Sequence, residues 1–184
     1  MLFFTSDHHF GHRNIIKYCD RPWDSMEAMD EGLIELWNNT VSPDDTVYHL
    51  GDFSLSLSVM ARVTPRLNGK KYLVCGNHDQ CWPKTVTSGI RKRERYFDAG
   101  WENVYTRLAF NTRYATPVLL SHLPYTGHDE RYADRRPADS GAILLHGHVH
   151  EAWHTRGRQF NVGVDRNGYT PVSEDVIVNF IKRG

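Results

Sequence analysis

Asp7, His9, Asp52, Asn77, His78, His122, His148 and His150 are all hard oxygen or imidazole donors, with no thiolate among them. Carboxylate, imidazole and amide oxygen suit divalent first-row cations: manganese first, then iron, zinc, nickel or cobalt. Calcium wants more oxygen, and structural zinc wants cysteine. Setting His78 aside leaves seven ligands. That is too many for one ion with open positions, but it suits two ions sharing a carboxylate, and Asp52 is the natural bridge. Asp7 and His9 are two apart after an apolar run, and in an extended segment they point the same way, towards one ion. His148 and His150 repeat that spacing, although a turn there can send them to different ions. Two such ions about 3.5–4 Å apart acidify a bridging water and neutralise charge during in-line displacement at phosphorus, so the bridging hydroxide is the expected nucleophile. His78, next to Asn77 yet spare, is the candidate general acid, with Asp79 placed to hold its imidazole in one tautomer.

Taken singly, each of these histidines reads as a solvated loop residue; the reading rests on their number and order. What must position them is a set of short strands. Leu2-Phe3-Phe4-Thr5-Ser6, Thr46-Val47-Tyr48-His49-Leu50, Lys71-Tyr72-Leu73-Val74-Cys75, Pro117-Val118-Leu119-Leu120-Ser121 and Ala142-Ile143-Leu144-Leu145 are apolar runs, each followed by polar residues. In sheets flanked by helices, the carboxyl ends of strands open onto the crevice where ligands bind, so five separate loops can converge there. Gly11, Gly51, Gly76 and Gly147 stand beside the clusters, either as turn residues or to let backbone approach the ions. Met26, Met29, Leu33, Ile34 and Trp37 recur at helical spacing between Ser25 and Asn39, which predicts an amphipathic helix covering the sheet. A second helix is expected after Ser173, where Glu174 and Asp175 precede Val176, Ile177, Phe180 and Ile181.

Composition limits the alternatives. The 184 residues carry 22 basic and 22 acidic side chains, so no overall field draws the chain to nucleic acid or to an anionic membrane. The run Arg91-Lys92-Arg93-Glu94-Arg95 reads as a solvated face or a local polyanion contact. No signal peptide and no apolar segment long enough to span a bilayer is present, and the three cysteines, Cys19, Cys75 and Cys81, form no disulfide framework. The expectation is one domain over residues 1–184 in the cytoplasm of a bacterial or phage-infected cell.

In sequence order the motifs are Asp7-His8-His9, Gly51-Asp52, Gly76-Asn77-His78-Asp79, Ser121-His122 and Gly147-His148-Val149-His150. This pattern resembles the calcineurin-like metallophosphoesterase superfamily from Asp7 to His150. The stretch Thr5-Ser6-Asp7-His8-His9-Phe10-Gly11-His12-Arg13-Asn14 is similar to a compact branch found in bacteria and bacteriophages. The resemblance implies a fold of two mixed β-sheets packed face to face with helices outside, a four-layer α/β/β/α sandwich. It also implies that Asp7, His9 and His150 hold the first ion, that Asn77, His122 and His148 hold the second, that Asp52 bridges them, and that His78 is the catalytic histidine. His12, Arg13 and Asn14 then lie beside the metals as phosphate contacts, or simply open a helix. His8 is expected to face away from the ions, and His49 and His146 either to support ligands or to belong to the core. The polar segment holding Tyr125, Arg131, Arg135 and Arg136 is expected to cap the site.

The resulting expectation is hydrolysis of phosphodiesters, small cyclic nucleotides above all. Phosphomonoesterase or protein phosphatase activity is the near alternative, and a non-catalytic scaffold of the same fold a more distant one, since such losses would show first at His78 or the ligands. A metallo-β-lactamase-like enzyme would need an H-x-H-x-D-H run, which the chain lacks.

Overall fold

A computed structural model of the chain describes residues 1–113, 115–127 and 130–183. The first sheet collects β1 (Leu2–Thr5), β2 (Thr46–His49), β3 (Lys70–Val74) and β4 (Trp101–Tyr105). These four run parallel in chain order, joined through α1 (Arg13–Tyr18), α2 (Met26–Thr40), α3 (Leu57–Val63) and α4 (Arg93–Asp98). The second sheet is built from β5 (Leu108–Asn111), β6 (Pro117–Leu120), β7 (Ile143–His146), β8 (Thr155–Arg156) and β9 (Gln159–Asn161) in the order β5-β6-β7-β9-β8. The chain then returns to the first sheet: β10 (Val172–Ser173) pairs antiparallel with β1, and α5 (Glu174–Arg183) follows. Both sheets are mixed and flanked by helices.

Period-two alternation along the strands divides the apolar residues between two cores. Phe3, Val47, Leu73 and Val104 face the helices and pack with Met29, Leu33, Trp37, Met60 and Tyr96. Phe4, Val74, Val118, Leu120, Leu145 and Phe160 fill the space between the sheets, joined by Ile177 of α5. The expected methionine-rich helix forms as α2, opened by Ser25, whose Oγ accepts the Ala28 amide at 3.1 Å. The five strands expected from sequence are present with ends shifted by about a residue; β4 and β5, no shorter than the strands that were read, and the two-residue β8 and β10 went unread. Among the described residues, no helix is long and apolar enough to cross a membrane.

This topology delivers the site. The loops after β1, β2 and β3 leave one end of the first sheet, and those after β6 and β7 leave the second sheet beside them. A parallel bridge, Ser6 to Gly163, links the sheets at that edge.

Candidate metal centre

The loops after β1 and β2 are locked side by side by backbone bonds: the Asp7 amide donates to Gly51 at 3.0 Å, His9 to Asp52 at 3.0 Å, and Phe10 to Phe53 at 2.9 Å. Asp7, His9, Asp52, His148 and His150 all have left-handed backbones, with φ of 62°, 54°, 56°, 73° and 46°. This departs from the sequence reading, which placed Asp7 and His9 on one side of an extended segment. Tight left-handed turns bring them together instead. Such conformations cost roughly 1–3 kcal/mol each and persist where the surroundings over-determine them, as at functional sites.

The side chains meet around Asp52. Its Oδ1 accepts the His78 amide at 2.8 Å, which leaves Oδ2 lying 3.5 Å from Nε2 of His9 and 3.4 Å from Nε2 of His122. On one flank, Asp7, His9 and His150 each bring a ligand atom within 4.8 Å of the others. On the other, His122 Nε2 lies 3.0 Å from Asn77 Oδ1, while its Nδ1 faces the Leu50 carbonyl at 2.8 Å, so Nε2 is the atom turned towards the cluster. The His148 ring packs edge-on against His122 with centroids 5.2 Å apart, and its amide donates to both oxygens of Asp7 at 3.1 and 3.0 Å.

The donor set fits divalent cations. Both ring nitrogens of His9 are buried without a hydrogen-bond partner, a costly arrangement unless a ligand completes it. Burial alone would lower the His122 imidazole, but Asp52 and Asp7 beside it push it up to about 9. Burial would raise the Asp52 carboxyl, but His122, His9 and His78 hold it well below the usual carboxylate range. Burial drives the His9 imidazole well down, so it stays neutral and able to ligate. The pocket thus calls for positive charge, and the neutral His9 imidazole suits a metal.

Two close approaches require glycine. A Cβ on Gly76 would lie 2.1 Å from Asp52 Oδ1, and one on Gly147 would lie 2.3 Å from both Asp7 Oδ2 and Ser6 Oγ. The glycines therefore make room for the carboxylates.

Asp79 is a correction. Sequence placed it against the His78 imidazole, but its carboxylate accepts backbone amides from Gly76 at 2.8 Å, Asp52 at 2.9 Å, Phe53 at 3.0 Å and Ser54 at 3.4 Å. It braces two ligand loops against each other. Burial and the Asp52 charge push its acid up to about 7 against the pull of those amides. His78 is exposed, its ring 5.4 Å from that of His9. His12 is half-buried with its ring 5.5 Å from His9, while Arg13 and Asn14 are exposed at the start of α1. His8 does face away from the cluster, 2.9 Å from His49 and stacked on Phe10. His49 accepts the Gly51 amide at 3.2 Å and so supports the Asp52 loop, while His146 packs on Trp153 in the core.

Sequence missed a buried polar support. His150 Nδ1 lies 2.9 Å from Asp165 Oδ2, and Arg21 Nε donates to Asp165 Oδ1 at 2.8 Å. The same guanidinium donates to the Asp7 carbonyl at 2.6 Å and the His8 carbonyl at 2.7 Å. Arg21 and Asp165 thus join the Asp7 loop to the His150 loop. Neither residue stands in a motif, and their separation of 144 positions leaves no sequence signal.

A family model described as a calcineurin-like phosphoesterase superfamily domain matches residues 2–167. The gene 66 protein of Mycobacterium phage L5 is 32% identical over 200 residues, covering 97% of this chain and 92% of the relative. An uncharacterised protein of Methanocaldococcus jannaschii is 31% identical over 194 residues, covering 100% and 92%. A crystal structure of a protein of unknown function from Aquifex aeolicus superposes with a TM-score of 0.75 at 28% identity, covering 98% of both chains.

Proposed function

The chain belongs to the calcineurin-like phosphoesterase superfamily, a metal-dependent hydrolase family, and from that premise we propose a binuclear phosphodiesterase of small nucleotides, cyclic ones included, over residues 1–184. Asp7, His9 and His150 would hold one cation and Asn77, His122 and His148 the other, with Asp52 shared between them and manganese the preferred metal. The observation that carries this reading is Asp52 Oδ2 lying 3.5 Å from Nε2 of His9 and 3.4 Å from Nε2 of His122. Bound cations would supply Lewis-acid charge neutralisation at phosphorus and acidify water.

The chain's own residues do the rest. His78, exposed and anchored through its backbone to Asp52, delivers a proton to the leaving-group oxygen. His12, Arg13 and Asn14 supply donors to the non-bridging phosphate oxygens, which suit guanidinium and amide groups. The buried Asp7, His9 and His122 exclude bulk water from the floor of the site. The phage relative supports action in the cytoplasm of a bacterial or infected cell.

The test is a panel of chromogenic mono- and diesters with added manganese. Diesters are expected to turn over fastest, and His78→Ala is expected to keep its metal content while losing the factor of about 10²–10⁴ typical of a general acid or base. Asp52→Asn loses metal and activity together. Full diesterase rates in His78→Ala would remove that residue from the mechanism, and monoester preference would reassign the reaction.

A further inference from the structure

A cleft of about 590 Å³ opens at the next strand end in the parallel row. Asp7, Asp52 and Asn77 follow β1, β2 and β3; Thr106 and Arg107, which line the cleft, follow β4. Its other wall begins at Trp82, four residues past His78, and includes Ile90 and Arg93. Tyr132 joins cleft to centre: its ring packs edge-on against His148 at 5.6 Å and against Trp82 at 6.5 Å. The capping segment expected from sequence is therefore in contact with both His148 and a wall of the cleft.

The walls combine an apolar floor with cationic heads. Arg135 is committed to structure: its guanidinium lies 5.6 Å above Trp82, donates to the carbonyls of Pro83 and Lys84 at 3.3 and 3.0 Å, and faces Asp134 at 3.5 Å. Arg93 and Arg107 differ. Each spends one nitrogen on a backbone carbonyl, Val104 at 2.9 Å and Arg135 at 3.2 Å respectively; the Arg93 guanidinium also lies 5.9 Å above the Phe97 ring, and neither arginine is paired with a carboxylate among the described residues. With Asp134 engaged by Arg135, Glu94 is the acidic group left to oppose them. Guanidinium groups with spare fork donors beside an apolar wall suit a phosphoryl group carried on an organic body.

We infer that this cleft binds a second phosphoryl group of the substrate, and that the substrate class is a nucleoside bearing two phosphoryl groups: one at the metal centre, the other at Arg93 and Arg107, with the carbon body against Trp82 and Ile90. This rests on the phosphoesterase reading of the metal centre and narrows its substrate. The family pattern, which ends at His150 and involves neither arginine, says nothing of the cleft.

The test measures equilibrium binding to the full manganese-loaded chain with calorimetry, using adenosine 3′,5′-bisphosphate and adenosine 5′-monophosphate as probes. The bisphosphate is expected to bind about tenfold tighter, as one charge-assisted contact supplies. That ratio should fall to near one in Arg107→Met, and equally in Arg93→Met where its melting temperature shows it folded. Equal affinities in the wild type, or a ratio that survives both substitutions, would overturn the inference. Turnover of bis(p-nitrophenyl) phosphate by the manganese-loaded wild type is measured alongside. Its absence would count against the phosphodiesterase reading while the binding ratio still decides the cleft.

Discussion

At the scale of single residues, the centre shows how a ligand is aimed as well as which residue it is. His150 is held by Asp165, and burial, which alone would lower the imidazole, is outweighed by that hydrogen bond, by Cys19 and by Asp7, so it is pushed up to about 11. Carboxylates in this position fix a ligand's ring and raise its basicity. Asp165→Asn is therefore expected to weaken cation affinity by about 10–100-fold while the fold is kept, since an amide oxygen still accepts from Arg21. A manganese titration of the purified variant checks this, and unchanged affinity would make Asp165 a purely structural partner of Arg21. The ligand types were legible in the sequence because carboxylate, amide and imidazole each follow an apolar run. Their backbone was not, because a left-handed φ at Asp7 or His150 leaves no mark on residue type. Asp79 misled for a related reason: adjacency to His78 suggested a side-chain partner, whereas the turn directs its carboxylate at four backbone amides.

At the scale of elements, strands and helices carry separable duties. α2 buries Met29, Leu33 and Trp37 against the first sheet and contributes no ligand, so Leu33→Ala should cost about 2–5 kcal/mol of stability with metal content intact. The loop after β3 behaves in the opposite way. Gly76→Ala puts a methyl where Asp52 Oδ1 and its amide stand, and since backbone cannot yield as a side chain can, the bridging carboxylate has to move. The expected outcome is a loss of about 1–3 kcal/mol together with loss of bound manganese. Denaturant melts paired with metal analysis separate the two cases, and a metal-replete Gly76→Ala protein would show that the loop tolerates the shift. The strands that feed the site were readable because their apolar runs are long enough to stand out. β8 and β10 have two residues each, and α1 and α4 have six, lengths at which tertiary packing decides the conformation. The second sheet was legible only through family resemblance, since an apolar run does not state which sheet it joins.

At the scale of the whole molecule, the proposed metal centre lies where the two sheets meet, and the residues proposed to hold the cations come from both. Asp7, His9, Asp52 and Asn77 leave the first sheet; His122, His148 and His150 leave the second. The apolar interlayer around Phe4, Val74, Leu120 and Leu145 holds the sheets together, while the links at the edge include the Ser6–Gly163 bridge, the His148 amide on Asp7, His122 on the Leu50 carbonyl and on Asn77, and the Arg21–Asp165 pair. Cations bound by Asp52 together with ligands from each sheet would clamp that edge, so metal binding and stability are coupled. A ligand that binds only the folded chain stabilises it by about 2.7 kcal/mol at a hundredfold excess over its dissociation constant, which in a chain of this length corresponds to roughly 5–10 °C in melting temperature. Manganese is expected to raise the melting temperature by that amount, and a chelator to reverse it. The increment should shrink in His122→Ala and in His9→Ala alike, because either change releases one side of the clamp. Were the increment to survive in one of them at full size, the cations would be held by one sheet alone and the coupling between the sheets would rest on the apolar interlayer.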